Sequence, residues 1–287
     1  MKTYLLYIFL LSGNILGFGQ SPIEQDSIPA KVYIIGVVHN ENENRNADSL
    51  FNILKSIKPD LILSETDNLS GYFKKDYSLV TPPNWYRIAR KMNLIKKMIP
   101  EVEVLFSYKK YAASVSIYPF DIAIPNRRNY VKNYYKNENK FVADINLASA
   151  NNEISEKLAT YHNDYVKYSN WLFETTQKGY FHLNQKVVTD SSKQMIDYEA
   201  VYFPKLFESA PRINNYKQWH IEQFNFWKIR NETMSKNILK FIQLKNAKTI
   251  VVLTGLLHKY YLIDLLELEK KENNIELLEF YESSLGK

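Results

Sequence analysis

The 287-residue chain contains no cysteine. That excludes disulfides, a cysteine nucleophile and a lipoprotein anchor, which needs a cysteine at its cleavage point. Other familiar signatures are missing too. There is no His-Glu-x-x-His helix, no Gly-x-Ser-x-Gly elbow and no Walker loop, so zincin, serine-hydrolase and P-loop chemistry are not indicated. The formal net charge is +6, but the lysines are scattered among acidic residues. No basic run interleaved with aromatics marks a nucleic-acid surface. Beyond the N-terminal residues, no stretch is long and apolar enough to span a membrane.

What the chain does have begins with a leader-like stretch. Residues 1–19 read as a cleavable secretory signal: Lys2 is the charged start, residues 4–11 are apolar, and Gly17-Phe18-Gly19 offers small residues for a peptidase. Gln20 is the expected mature N-terminus, and the expected location is secreted or periplasmic. Residues 20–287 are long enough for one α/β domain with an ample core.

Residues 31–67 organise the domain. Val32 to Ile35 read as a buried strand running into Gly36-Val37-Val38-His39. A helical segment with Leu50, Phe51, Ile53, Leu54 and Ile57 follows and stops at Pro59-Asp60. A second apolar run, Leu61 to Leu63, ends at Ser64-Glu65. In a right-handed crossover both strands point the same way, so His39 and Glu65 arrive at one edge of the sheet. Open α/β sheets place their sites there. The pattern returns near the C-terminus, where Thr249 to Leu253 lead into Gly255-Leu256-Leu257-His258, a helix with Leu262, Leu265 and Leu266, and a strand-like run beginning at Ile275. The expected architecture is a central mixed sheet built from two strand-Gly-x-x-His-helix-strand repeats.

Between the repeats lie further expectations. Trp85, Ile88, Ala89, Met92, Leu94, Ile95 and Met98 give a helical period ended by Pro100, and residues 106–115 read as another helix. Ser116-Ile117-Tyr118-Pro119-Phe120 reads as an edge strand or a strand end because of its proline, and it leads to Asp121. Asp121 can be a ligand, can hydrogen-bond a ligand histidine, or can cap a turn. Arg127 and Arg128 can meet an anionic group or be solvated. Ile154, Leu158, Tyr161, Tyr165, Tyr168 and Leu172 mark a helix seam within a tyrosine-rich helical insertion at about 130–216. His162 and His182 lie there without a partner at ligand spacing. Residues 217–245 form a long helix whose apolar stripe holds Phe224, Trp227, Met234, Ile238 and Phe241. Asn231 falls inside that stripe, where a buried amide must find partners. Arg230 and Asn231 can bind site carboxylates, bind substrate, or tie helix to sheet.

The paired Gly36-x-x-His39 and Gly255-x-x-His258, with Glu65 after the second strand and Arg230-Asn231-x-x-Met234 before the last long strand, resemble the Tiki/TraB superfamily, which includes TraB/GumN-like, ChaN-like and erythromycin esterase proteins. Ser116 to Asp121 resembles that group's strand ending in aspartate. The middle of the chain carries no such likeness. The resemblance implies a divalent metal (Mn, Co or Zn) held by His39, Glu65 and His258, with Arg230 in support and Asn231 and Asp121 nearby. Such an ion would activate water on a peptide or ester substrate. Two other functions remain open. In one, a metal-free esterase uses His39 as general base, oriented by Glu65. In the other, the protein is not an enzyme and binds iron, heme or a partner.

Overall fold

The computed structural model describes residues 28–67, 71–80 and 98–282, together with Pro83, Trp85, Ile88, Ala89, Met92 and Leu94. The signal-like residues 1–19 and Ile95 lie outside the described residues. Of the segment expected to be helical before Pro100, Trp85, Ile88 and Ala89 are helical.

Five short strands make one sheet: β1 (Ala30–Val37), β2 (Leu61–Ser64), β3 (Ser116–Pro119), β4 (Thr249–Gly255) and β5 (Ile275–Leu278). Their spatial order is β3-β2-β4-β1-β5, and every pairing is parallel. The α/β class is as expected, but the sheet is wholly parallel rather than mixed. Each connection between strands contains a helical crossover, and none is a hairpin that would return the chain antiparallel. Pro119 ends β3, the edge strand, where its missing N–H costs no ladder bond.

The two Gly-x-x-His units are interleaved. In the first, β1 is followed by α1 (Ala47–Ile57) and β2; in the second, β4 is followed by α9 (Leu256–Glu269) and β5. β4 lies between β1 and β2, while β1 lies between β4 and β5. Alternate side chains of each strand serve opposite faces. Tyr33, Ile35, Val37, Val251 and Leu253 pack with Leu50 and Leu54 of α1 and with Val104, Leu105 and Tyr108 of α2 (Pro100–Tyr111). Val32, Ile34, Ile250 and Val252 pack with Met234, Ile238, Phe241 and Ile242 of α8 (Lys217–Lys245) and with Leu262 and Leu266 of α9. Both faces are covered, as a parallel sheet requires. The chain leaves β1 toward one face and β4 toward the other. The C-terminal ends of these neighbouring strands therefore flank a switch point, where α/β sheets form crevices.

α2 begins at Pro100, whereas the sequence suggests a helix over 106–115. A proline is at home in the first turn of a helix, where its absent N–H has no partner to lose, so Pro100 opens this helix. The insertion between β3 and β4 is helical, as expected. It comprises α3 (Arg127–Ala150), α4 (Glu156–Thr175), α5 (Tyr180–Leu183), α6 (Lys186–Ser209) and α7 (Pro211–Asn214). Phe141 and Ile145 of α3, Ile154 of the loop before α4, and Tyr202, Phe203, Leu206 and Phe207 of α6 form a separate apolar core, against which Leu158 and Tyr165 of α4 pack. Tyr202 and Phe203 belong to the 24-residue α6.

Candidate active site at the sheet edge

Glu65 follows β2 directly, and its N–H donates to the carbonyl of Leu253, which extends the ladder by one residue. Its carboxylate turns toward β4. Oε2 accepts from the Gly255 N–H at 2.5 Å and the Thr254 hydroxyl at 2.7 Å. Gly255 is the residue before the first turn of α9, so the carboxylate sits at the positive end of that helix. A Cβ on Gly255 would lie 3.4 Å from Glu65 Oε2, and glycine leaves that approach open. Glu65 Oε1 accepts from Arg230 Nη2 at 2.6 Å. Burial alone would raise the Glu65 pKa. In the acid range where Glu65 titrates, the protonated His258 ring, the Arg230 charge and the hydrogen bonds from Thr254 and Gly255 outweigh it and hold the pKa at about 2.

Arg230 is the hub. Its Nε and Nη2 grip both oxygens of Asp121 at 2.9 and 2.8 Å, a bidentate geometry open to guanidinium but not to an ammonium. Its Nη1 lies 3.2 Å from His258 Nε2. Burial disfavours the guanidinium charge, but the paired carboxylates more than restore it and raise its pKa. Asp121 also receives a charged hydrogen bond from Arg127, and its Oδ1 accepts from the Ile122 N–H at 2.8 Å. Of the three roles open to Asp121, the turn cap is the one seen, and its other partners are the arginines Arg127 and Arg230 rather than a histidine.

His258 is buried on the first turn of α9. Its Nδ1 lies 2.8 Å from Asn231 Oδ1, while Asn231 Nδ2 donates to the Trp227 carbonyl at 2.7 Å. The amide in the apolar stripe of α8 therefore has both its partners. An amide oxygen can only accept, so Nδ1 carries the proton and Nε2 presents its lone pair to Arg230. Burial, with Arg230 close by, lowers the His258 pKa and keeps the ring neutral despite the 3.6 Å approach of Glu65. Trp227 stacks over the ring at 5.9 Å and 21°.

His39 differs in every respect. It stands two residues past β1 in a loop, with a side chain that is 60% exposed. Its Nδ1 makes a short hydrogen bond to Glu101, a carboxylate only 5% exposed in the first turn of α2. That bond, more than the opposing burial, raises the His39 pKa. With Nδ1 engaged by a carboxylate, Nε2 is left as the free ring nitrogen. Glu101 Oε2 is buried and has no hydrogen-bond partner among the described residues. Glu65 and Arg127 both act electrostatically on His39. The end of β1 is itself held by a clamp. Gly36 donates to Asn184 Oδ1 at 2.6 Å, and Asn184 Nδ2 returns a bond to the Gly36 carbonyl at 3.0 Å. β5 pairs only as far as Tyr33, and the Asn184 amide takes over where it stops.

Glu65, His258, Arg230, Asn231 and Asp121 are therefore brought into one network, and His39 faces the same edge with a different partner. The metal set implied by the resemblance does not fit this arrangement. Both oxygens of Glu65 accept hydrogen bonds, and Arg230, a permanent cation, bridges Glu65 Oε1 and His258 Nε2, the two atoms that would face the ion. His39 Nδ1 is turned onto Glu101, not Glu65. Among the described residues, no group of three or more His, Asp or Glu side chains is arranged to hold a metal ion. Two contributors escape the sequence reading. Glu101 falls between Pro100 and the helix expected over 106–115, and Pro-Glu at a helix start is the signal that could have found it. Asn184, far along the chain, gave none.

No family model matches the chain, and no curated protein and no solved structure is significantly similar to it. Among the described residues no helix is long and apolar enough to cross a membrane.

Proposed function

We propose that the protein is a metal-independent hydrolase, acting on an ester in the manner the erythromycin esterase likeness suggests, with His39 as general base. The observation that carries this reading is the His39–Glu101 pair. A buried carboxylate fixes Nδ1 of a solvent-facing imidazole and leaves Nε2 to take a proton, the arrangement a base–orienter pair requires. In the reaction, Nε2 takes a proton from water as the water oxygen bonds to the ester carbon. The carbonyl π pair moves onto oxygen, then re-forms the carbonyl as the C–O bond to the alcohol breaks. The alcohol oxygen recovers the proton from His39. Arg127, one-third exposed and within electrostatic reach of His39, is the cation placed to meet the developing oxyanion. Arg230 does not touch substrate in this scheme; it neutralises Asp121 and Glu65 and fixes the sheet edge.

The test is hydrolysis of short-chain p-nitrophenyl esters by purified protein in the presence of EDTA. The expected result is turnover that EDTA leaves unchanged and that falls by about 10²–10⁴ in His39→Gln, the range for losing a general base. Turnover abolished by EDTA and restored by manganese, cobalt or zinc would overturn the proposal, as would full turnover in His39→Gln.

A further inference from the structure

The helices of the insertion and α8 enclose a cavity of about 450 Å³, a size suited to a small-molecule ligand. Its walls are largely aromatic, with Tyr134, Tyr165, Phe203, Trp219 and Trp227 among them. Arg230 lines it as well, so the cavity adjoins the sheet-edge centre, and Trp227 is a wall common to both.

Two carboxylates break the apolar lining, Glu138 from α3 and Glu199 from α6. Each meets a tyrosine: Tyr165 donates to Glu199, and Tyr134 to Glu138 at 3.4 Å. Among the described residues, no Lys or Arg is a named influence on either carboxylate. The contrast with the neighbouring centre is sharp, since Glu65 and Asp121 share Arg230 while Glu138 and Glu199 are paired with tyrosines and, among the described residues, with no Lys or Arg. Burial, and then the charge of Glu138 working against the Tyr165 bond, pushes Glu199 up to about 7. Both residues are partly withdrawn from water, which is costly for a carboxylate without a counter-charge, and a ligand that supplies the charge recovers that cost. Aromatic faces attract the same ligand, because the ring quadrupole favours a desolvated cation.

We infer that this cavity is a binding site for an organic cation, an ammonium or quaternary ammonium group held between Glu138 and Glu199 within the aromatic walls. The inference concerns binding and stands independently of hydrolysis at His39. An anionic ligand is disfavoured by the two carboxylates. A neutral apolar ligand would fill the space but leave both carboxylates unpaired.

The experiment uses the full chain and benzyltrimethylammonium, followed through quenching of tryptophan fluorescence, since Trp219 and Trp227 line the cavity. The uncharged carbon isostere, neopentylbenzene, serves as the control for apolar filling. The expected result is an affinity for the cation at least about tenfold above the isostere, with tenfold being about 1.4 kcal/mol. Glu199→Gln is expected to remove most of that preference and Glu138→Gln part of it, with binding of the isostere unchanged. Equal affinities for cation and isostere in the wild type would overturn the inference. So would full cation affinity in a folded Glu199→Gln and Glu138→Gln pair. Should Glu199→Gln fail to fold, the wild-type comparison and Glu138→Gln decide the matter.

Discussion

The two Gly-x-x-His segments begin alike in sequence and end as different devices. Gly255 ends a strand and opens a helix directly, so His258 is carried on the first turn of α9, buried against Trp227 and tied to Asn231 and Arg230. Gly36 stays within β1, and His39 stands in a loop well before α1 begins at Ala47, with an exposed ring and a single carboxylate partner. Equivalent spacing thus gives one neutral, enclosed imidazole and one exposed imidazole with a raised pKa. The difference arises where the helix starts. Immediate entry into α9 supplies the backbone N–H that Glu65 binds, and this draws Arg230 in as the counter-charge.

The largest effect that would break this comparison is expected on the buried side. Arg230→Ala would leave Asp121 and Glu65 buried without their shared cation and should cost roughly 3–5 kcal/mol of stability in urea unfolding. A loss below about 1 kcal/mol, the range of an exposed pair, would mean that the centre is solvated.

Substituting the two histidines should then separate their roles. His258→Gln should lose about 1–3 kcal/mol of stability through its buried hydrogen bonds. His39→Gln should change stability by no more than about 0.5 kcal/mol, as exposed substitutions do, while abolishing most turnover. If the two variants shifted stability equally, the asymmetry would be wrong.

Acid titration sharpens the comparison further. The folded Glu65 pKa lies below its unfolded value, so the stability it contributes is complete above about 4.5 and drains away as pH falls toward about 2. His258 adds a loss of the same sign that begins at higher pH, because the unfolded ring takes a proton near 6.5 that the folded ring resists. Thermal unfolding between pH 7 and pH 3 should therefore show falling stability, with a shallower decline in Glu65→Gln.

A modest effect is expected at the glycines. A Cβ at Gly36 would lie 3.0 Å from Leu256 Cδ1 and 3.4 Å from the Asn184 amide oxygen, and Gly36→Ala should cost about 1 kcal/mol through overpacking and a loosened clamp. At Gly255 the nearest atom is 3.4 Å away, an ordinary contact, so Gly255→Ala should cost less. Melting curves of the two variants would show the order.

The strand–helix–strand units, the shared edge of His39 and Glu65, the edge position of the Pro119 strand and the buried amide at Asn231 were all readable from the sequence. Each depends on local periodicity or on one residue that breaks it. Strand order was not readable, since nothing local says that β4 inserts between β1 and β2, and that insertion is what brings His258 to Glu65. The partner of His39 was missed for the same reason. Glu101 becomes a buried carboxylate only once α2 packs beside α1, and from composition Glu65 was the nearer candidate. The ligand set came from the family resemblance, whereas the location of Arg230, fixed by the packing of α8, is what ties Glu65 to His258.

The most direct test of the account is metal content, measured by elemental analysis of purified protein after incubation with manganese, cobalt and zinc and then desalting, with His258→Ala beside it. With Arg230 seated between Glu65 and His258, both proteins are expected to retain far less than one equivalent of any of the three ions. Near one equivalent in the wild type, lost in His258→Ala, would contradict the account and return His39, Glu65 and His258 to the role of ligands.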